Sequence, residues 1–225
     1  MSILRIDSEI VNDTLVVNSG ESKVLNLATF TNLKPCKIEV NLRENSIFDM
    51  NFADFGSWTG ELKVVVNMLG EGADFHFRCA SYSSVNDKKR ISVDVNHLTP
   101  RGKSLVSCYG IASGKSEIHF EGCSFIQKGS VGTTTRQEAK AILFDELSQG
   151  YCSPVLKIDE NEVAASHAAS VGRVNDDHLF YLLSRGLSKT EARKIITLGY
   201  LKPIVSYFEE EEMRNRLLSI IEEKL

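Results

Sequence analysis

Val163-Ala164-Ala165-Ser166-His167-Ala168-Ala169-Ser170-Val171-Gly172-Arg173-Val174-Asn175-Asp176-Asp177-His178-Leu179-Phe180-Tyr181-Leu182-Leu183-Ser184-Arg185-Gly186-Leu187 is where the chain changes character. A run of small residues presents a single histidine, His167. A polar cap, Asn175 or Asp176, then opens an apolar helical turn, with acidic residues at the positive end of the helix dipole. Gly186 is placed to end that helix. Everything before this stretch reads as strand and turn, and everything after it as helix.

Working back toward the N-terminus, short segments alternate apolar and polar residues. Ile38 to Leu42, Leu62 to Val64, Ala73 to Cys79, Ile91 to Val95 and Ile118 to Phe120 all keep a period of two. That period belongs to strands with one buried and one wet face. Phe75, Phe77, Val93, Val95, Ile118 and Phe120 are then core residues, while Asp74, His76 and Asp94 point outward. Turn residues punctuate the run at Asn18-Ser19-Gly20, Gly70-Glu71-Gly72, Pro100-Arg101-Gly102 and Ser113-Gly114. Many short strands without helices predict a sandwich, a barrel or a β-solenoid. Periodicity alone leaves the three open, because no strict internal repeat is visible.

Working forward, Ser188-Lys189-Thr190-Glu191 is a capping-box pattern that starts a second helix. That helix is expected to bury Ala192, Ile195 and Ile196 and to stop at Gly199. Pro203 opens a short turn through Phe208. A last helix begins within Glu209 to Glu212 and carries Met213, Leu217, Ile220 and Ile221 on one face.

The composition bounds the function. The 225 residues are 42% hydrophobic and 25% charged, as in an ordinary globular chain. A formal net charge of -4 argues against a nucleic-acid partner, which needs a basic footprint. No stretch approaches the roughly 18 apolar residues of a membrane span, and the first residues do not form a signal peptide. The expectation is a cytoplasmic protein with no membrane partner. The five cysteines, Cys36, Cys79, Cys108, Cys123 and Cys152, are scattered and lack any Cys-x-x-Cys. They form neither a disulfide framework nor a zinc spacing and read as small buried hydrophobes.

Gly110-Ile111-Ala112-Ser113-Gly114-Lys115-Ser116 resembles a phosphate loop but is one residue short between its glycines. Glu117 to Phe120 then continues as strand, whereas phosphate binding needs a helix N-terminus. The chain is therefore expected to bind no nucleotide of its own. His76 and His119 sit at outward strand positions, His97 lies at a strand end and His178 in a first helical turn; none of the four carries a chemical assignment. His167 differs because alanines and serines on both sides leave it uncovered. Its imidazole suits iron, but from the residues alone a histidine hydrogen-bonded at the strand-to-helix junction is the preferred reading, since one histidine makes no metal site.

Ser166 to Arg173, followed by Leu179 to Leu182 and by Ser184-Arg185-Gly186-Leu187, resembles the C-terminal signature of the SufB/SufD family, scaffold components of the SUF iron–sulfur cluster assembly system. The resemblance implies a mainly β fold: a right-handed parallel β-helix core over residues 1–174, with a C-terminal helical domain over 175–225 that docks the SUF ATPase. It implies a scaffold without catalytic turnover, which acts with that ATPase, a SufB-like chain or a second copy of itself, and a sulfur donor system. A transient iron–sulfur cluster or iron would lie at the subunit interface. His167 matches the SufD histidine that faces the partner subunit, which makes it the cluster, iron or metal ligand candidate. Leu179, Phe180, Arg185, Gly186 and Leu187 become the partner-binding candidates. Two positions depart from the pattern. Ala168 stands where SufD has glycine and SufB glutamate, and Ser148 occupies the position of the sulfur-accepting cysteine, which leaves Cys152 as a substitute candidate. Two other readings follow: a structural adaptor that has lost cluster chemistry, and a β-solenoid enzyme acting on carbohydrate, which would need a groove of outward carboxylates or basic residues.

Overall fold

The computed structural model describes residues 2–174 and 176–224, without the side chains of Asp176 and His178. The expected cap at Asn175 or Asp176 and the side chain of His178 therefore lie outside the described residues. Thirteen strands precede the helices: β1 (Ser2–Ile6), β2 (Asp13–Val17), β3 (Ser22–Thr29), β4 (Cys36–Leu42), β5 (Ile47–Asp54), β6 (Thr59–Met68), β7 (Asp74–Ser83), β8 (Lys88–His97), β9 (Lys103–Ala112), β10 (Glu117–Ile126), β11 (Thr134–Leu143), β12 (Gln149–Ile158) and β13 (Ala164–Arg173). From β2 onward the chain passes back and forth between two parallel sheets. One sheet runs β1-β3-β5-β7-β9-β11-β13 and the other β2-β4-β6-β8-β10-β12. This is a parallel β-helix, so the solenoid is the member of the three-way choice that the chain adopts.

The missing repeat has a physical cause. Ser2 aligns with Val24, Ile47 with Asp74 and Lys103 with Thr134. The spacing between aligned residues varies along the chain, lengthening over most of it, because turn lengths change while the rungs stay in register. A search for a fixed period fails, yet each residue still stacks on its counterpart one coil away.

Alternation assigns the faces as expected. Phe75, Phe77, Val93, Val95, Ile118 and Phe120 are all buried in the interior between the sheets. Phe48 stacks on Phe75 with centroids 6.1 Å apart, as register partners. Gly110 points inward and makes room for a neighbour: a Cβ there would stand 2.7 Å from the Phe120 ring. That accounts for the first glycine of the phosphate-loop-like segment, whose remainder is a strand end and a turn leading into β10.

The helices are α1 (Asp176–Ser184), α2 (Lys189–Leu201) and α3 (Glu211–Glu223), with a 3-10 turn over Lys202–Tyr207. Ser188 caps α2 with a reciprocal Glu191 contact, as the capping-box pattern requires. The segment packs on the outer face of the seven-stranded sheet. Ala28, Ala53 and Ala80 form a register column there that admits Ile204, Val205 and Phe208 closely. Met213, Leu217 and Ile221 of α3 complete this second core.

Two helix expectations are corrected. Gly199 does not end α2, since it keeps a helical backbone and the helix runs on to bury Leu201. Ile195 is 47% exposed, while Ala192, Thr197 and Leu201 are buried. The column in the sheet widens from Ala80 to Tyr109 and Lys140. Lys140 reaches over the Tyr200 ring at 4.8 Å, so α2 stands off the sheet at this end. A groove of about 380 Å³ remains beneath Ile195 and Ile196.

Candidate functional site

β12 and β13 are the last strands of their sheets, so each has one edge without a strand partner among the described residues. Parallel register places every residue of β13 on the same face as its partner in β11. In β11 Thr135, Gln137, Ala139 and Ala141 are buried, whereas Arg136, Glu138 and Lys140 point outward. Gln137 aligns with His167. His167 therefore projects on the interior side of the final coil, at the mouth of the solenoid. It is solvent-exposed because no further coil covers it. Ala165, Ala169 and Val171 flank it on that face.

β12 brings Cys152 to the same mouth, since it aligns with the buried Phe120. Cys152 is half-buried against the core, and its thiol lies 3.8 Å from the Ser170 carbonyl oxygen. Burial pushes its pKa up to about 11, with Cys108 adding to the effect. At neutral pH it is a thiol, whereas a ligand or nucleophile must be a thiolate. Cys79 and Cys108 are aligned neighbours deeper inside, and burial also pushes Cys79 well up. The structure thus gathers the two candidates sequence reasoning named, His167 and Cys152, at one opening. Among the described residues no group of three or more His, Cys, Asp or Glu side chains is placed to hold a metal ion.

Ser148 is 5% exposed and closes the turn between β11 and β12, donating to the Asp145 carbonyl at 2.7 Å. Ala168 faces outward on β13, opposite in sense to His167. The exposed edge of β13, Ala164 to Gly172, carries no charge and no proline. Those are the usual devices that keep a strand edge from pairing.

The partner-binding candidates fall into two kinds. Phe180 is 73% exposed on α1, beside exposed Tyr181 and Leu183, and Leu179 is half-buried. Gly186 takes a left-handed conformation just past the helix end, and its N–H donates to the Leu183 carbonyl. Leu187 is half-buried, and Arg185 lies over the Tyr181 ring at 5.2 Å. Gly186 and Leu187 shape the turn, while Phe180, Tyr181 and Leu183 form the apolar surface. The last two were not singled out from sequence, although helical spacing places Leu183 three residues from Phe180.

The outer face of β10 carries Glu117 and Glu121 around His119, which stacks on Tyr151 at 4.3 Å. Lys88 pairs with Glu117 at 2.6 Å, and Arg90 pairs with Glu121. The hydrogen bond from Lys88 lowers the Glu117 pKa, the opposite of what a general acid for glycoside cleavage needs. His76 is similarly held between Asp49 at 3.1 Å and Asp74 at 3.4 Å. These outward histidines are half-buried beside carboxylates rather than free in solvent. His97, unassigned from sequence, is fully buried.

Comparison with known proteins agrees with this architecture. The family model for the SUF system FeS cluster assembly, SufBD core domain, matches residues 24–200. The chain is 30% identical over 159 residues to the iron–sulfur cluster assembly protein SufD of Bacillus subtilis, covering 71% of this chain and 36% of that protein. It is 28% identical over 155 residues to an iron–sulfur cluster assembly SufBD family protein of Mycobacterium tuberculosis, covering 68% of this chain and 18% of the relative. A SufBD family protein of Staphylococcus epidermidis is 25% identical over 154 residues, at 67% and 33% coverage. The chain thus spans about a third or less of the length of these relatives.

Proposed function

This chain belongs to the SufBD family of iron–sulfur cluster assembly proteins, and from that premise we propose that it is a scaffold whose open β-helix end pairs with a second scaffold chain to build a cluster between them. The observation that carries the reading is His167, on an unblunted edge strand and facing the mouth of the solenoid. One imidazole cannot hold a cluster, and no second ligand set surrounds it among the described residues. The remaining ligands come from the partner, a SufB-like chain or a second copy, together with Cys152 once it has shed its proton. Edge pairing along β13 uses the main-chain mode of strand addition. The cluster or iron is cargo here, delivered with the help of a sulfur donor system. The exposed apolar face of α1 docks the ATPase subunit of the system, which supplies the nucleotide chemistry.

The test is co-purification with the ATPase and a SufB-like chain, followed by iron and sulfide analysis without oxygen. His167→Ala is expected to leave complex yield unchanged and to lower iron and sulfide sharply. Equal content in mutant and wild type overturns the ligand role. That outcome favours the adaptor reading, to which Ser148, locked into a turn, and the protonated Cys152 already lend weight.

A further inference from the structure

The interior is apolar along most of its length, but besides the buried cluster around Lys89 and Asp54 a chain of polar side chains crosses it beneath the mouth. The His97 Nε2 lies 2.9 Å from the Ser104 hydroxyl, which lies 2.8 Å from that of Thr135. Thr135 donates to Ser124 at 3.0 Å, and the Gln137 amide nitrogen donates to the same Ser124 oxygen at 2.7 Å. That nitrogen also donates to the Val155 carbonyl at 3.1 Å. All five side chains are at least nine-tenths buried.

The proton positions follow by elimination. Val155 offers only a carbonyl, which cannot donate, so the Gln137 atom facing it is the NH2 group. Thr135 spends its proton on Ser124, so Ser104 donates to Thr135 and receives the His97 Nε2 proton. His97 Nδ1 is left bare, and it has no partner. The Gln137 amide is therefore locked in one orientation. Both its N–H groups are engaged, and no donor among the described residues bonds to Oε1. A Cβ on Gly122 would stand 2.5 Å from the Val93 carbonyl oxygen and 3.4 Å from Gln137 Oε1, so that oxygen lies across the interior near β10.

In this solenoid, several polar residues aligned on adjacent rungs bond to each other. Asn26 and Asn51 do so at 2.9 Å, Asn41 and Asn67 at 3.0 Å, Asn67 and Asn96 at 2.9 Å, and Asp49 and His76 at 3.1 Å. Gln137 and His167 are also an aligned polar pair, about 4.8 Å apart along the sheet. His167 makes no hydrogen bond among the described residues, and its ring is free to turn toward that rung.

We propose that Gln137 is a positioning residue for His167: its Oε1 accepts the imidazole N–H, fixing one tautomer and leaving the other ring nitrogen bare at the mouth. Metal-ligating histidines commonly donate their second nitrogen to such an acceptor, which orients the ring and raises its basicity. The proposal rests on the reading of His167 as a ligand for its purpose, though not for its geometry. The buried chain from His97 serves to hold the amide in the orientation that makes Oε1 the available end.

The experiment is long-range proton–nitrogen correlation on the full chain labelled with 15N-histidine, at a pH where the imidazole is neutral. His167 is assigned by its loss in His167→Ala. The wild type is expected to show one dominant His167 tautomer. Gln137→Met, which keeps volume but removes the acceptor, should give a mixed population, and Ser124→Ala should move the shifts in the same direction by freeing the amide. In the reconstituted complex, Gln137→Met should weaken iron retention by about ten- to a hundredfold. Identical His167 nitrogen shifts in wild type and Gln137→Met overturn the proposal; should that variant not fold, identical shifts in Ser124→Ala do so. If the tautomer changes in Gln137→Met while His167→Ala retains iron, the positioning stands and the ligand role falls.

Discussion

Lys89→Met should be among the most destabilising single substitutions in this chain. Lys89 is fully buried, with its ammonium 3.0 and 3.1 Å from the two oxygens of Asp54. It also donates to the Gly56 carbonyl at 2.7 Å and the Tyr82 carbonyl at 2.8 Å. Asp54, equally buried, accepts from Thr29, Ser81 and Trp58. Every polar atom of the pair is thus satisfied, so the pair is close to neutral overall, yet removing one member strands a charge in the core. Breaking a buried pair in this way costs about 3–5 kcal/mol. With a urea slope of about 2–3 kcal/mol per molar, the unfolding midpoint should fall by about 1–2.5 M. Removing both charges in Lys89→Met with Asp54→Leu should be less damaging than the sum of the single changes, because no lone charge remains. Three hydroxyl or indole donors then lose an acceptor, so recovery is partial. Urea unfolding at constant slope measures all four corners of this cycle. If Lys89→Met shifts the midpoint by no more than a surface substitution does, the ammonium is not sealed in the interior and the argument fails.

Phe120→Ala should destabilise the core by about 3–5 kcal/mol, because the ring fills the space left by Gly110; thermal or urea unfolding reads this directly. Phe180→Asp and Leu183→Asp should each change stability by less than about 0.5 kcal/mol, since both side chains are exposed, while sharply weakening capture of the ATPase in a pull-down. They test docking better than deleting residues 188–225, which would strip the cover from Ala28, Ala53 and Ala80. Hydrogen bonding from His76, aided by Arg78, lowers the Asp49 pKa in the folded chain. Its contribution is therefore complete above about pH 4, the unfolded carboxyl value, and is lost as pH falls through the lower folded value. Asp49→Asn should flatten the acid limb of a stability–pH curve below about pH 4 and leave its neutral region parallel to wild type.

Much of the architecture was legible wherever one face of a strand is apolar. Ile91, Val93 and Val95 fix the inward face of β8, and the same period of two carries inward to Lys89 and His97 at its ends. Both are buried, although Lys89 stands between the cations Lys88 and Arg90 and His97 carries no assignment from sequence. The alternation held the information; residue type obscured it, because a buried lysine declares itself only through a partner, and Asp54 is 35 residues away. Ile195 failed for the complementary reason. Helical spacing gives an apolar stripe but not its rotation against the sheet, which the large residues Tyr109 and Lys140 set from elsewhere in the chain.

His167 shows the limit most clearly. Ala164 to Ser170 has no apolar–polar contrast, so alternation cannot say which way the imidazole points. Only alignment with β11, whose Gln137 is buried and Glu138 is not, turns it toward the interior. That orientation is what separates His167 from Ala168 beside it: one faces the mouth where a second chain could close over it, the other the outer surface. A side chain aimed at the mouth has a neighbouring rung on one side only, and under the proposed function a second scaffold chain supplies the other. In the proposed pairing, Gln137 beneath and a partner above become the two neighbours of the imidazole, and its two nitrogens divide between them.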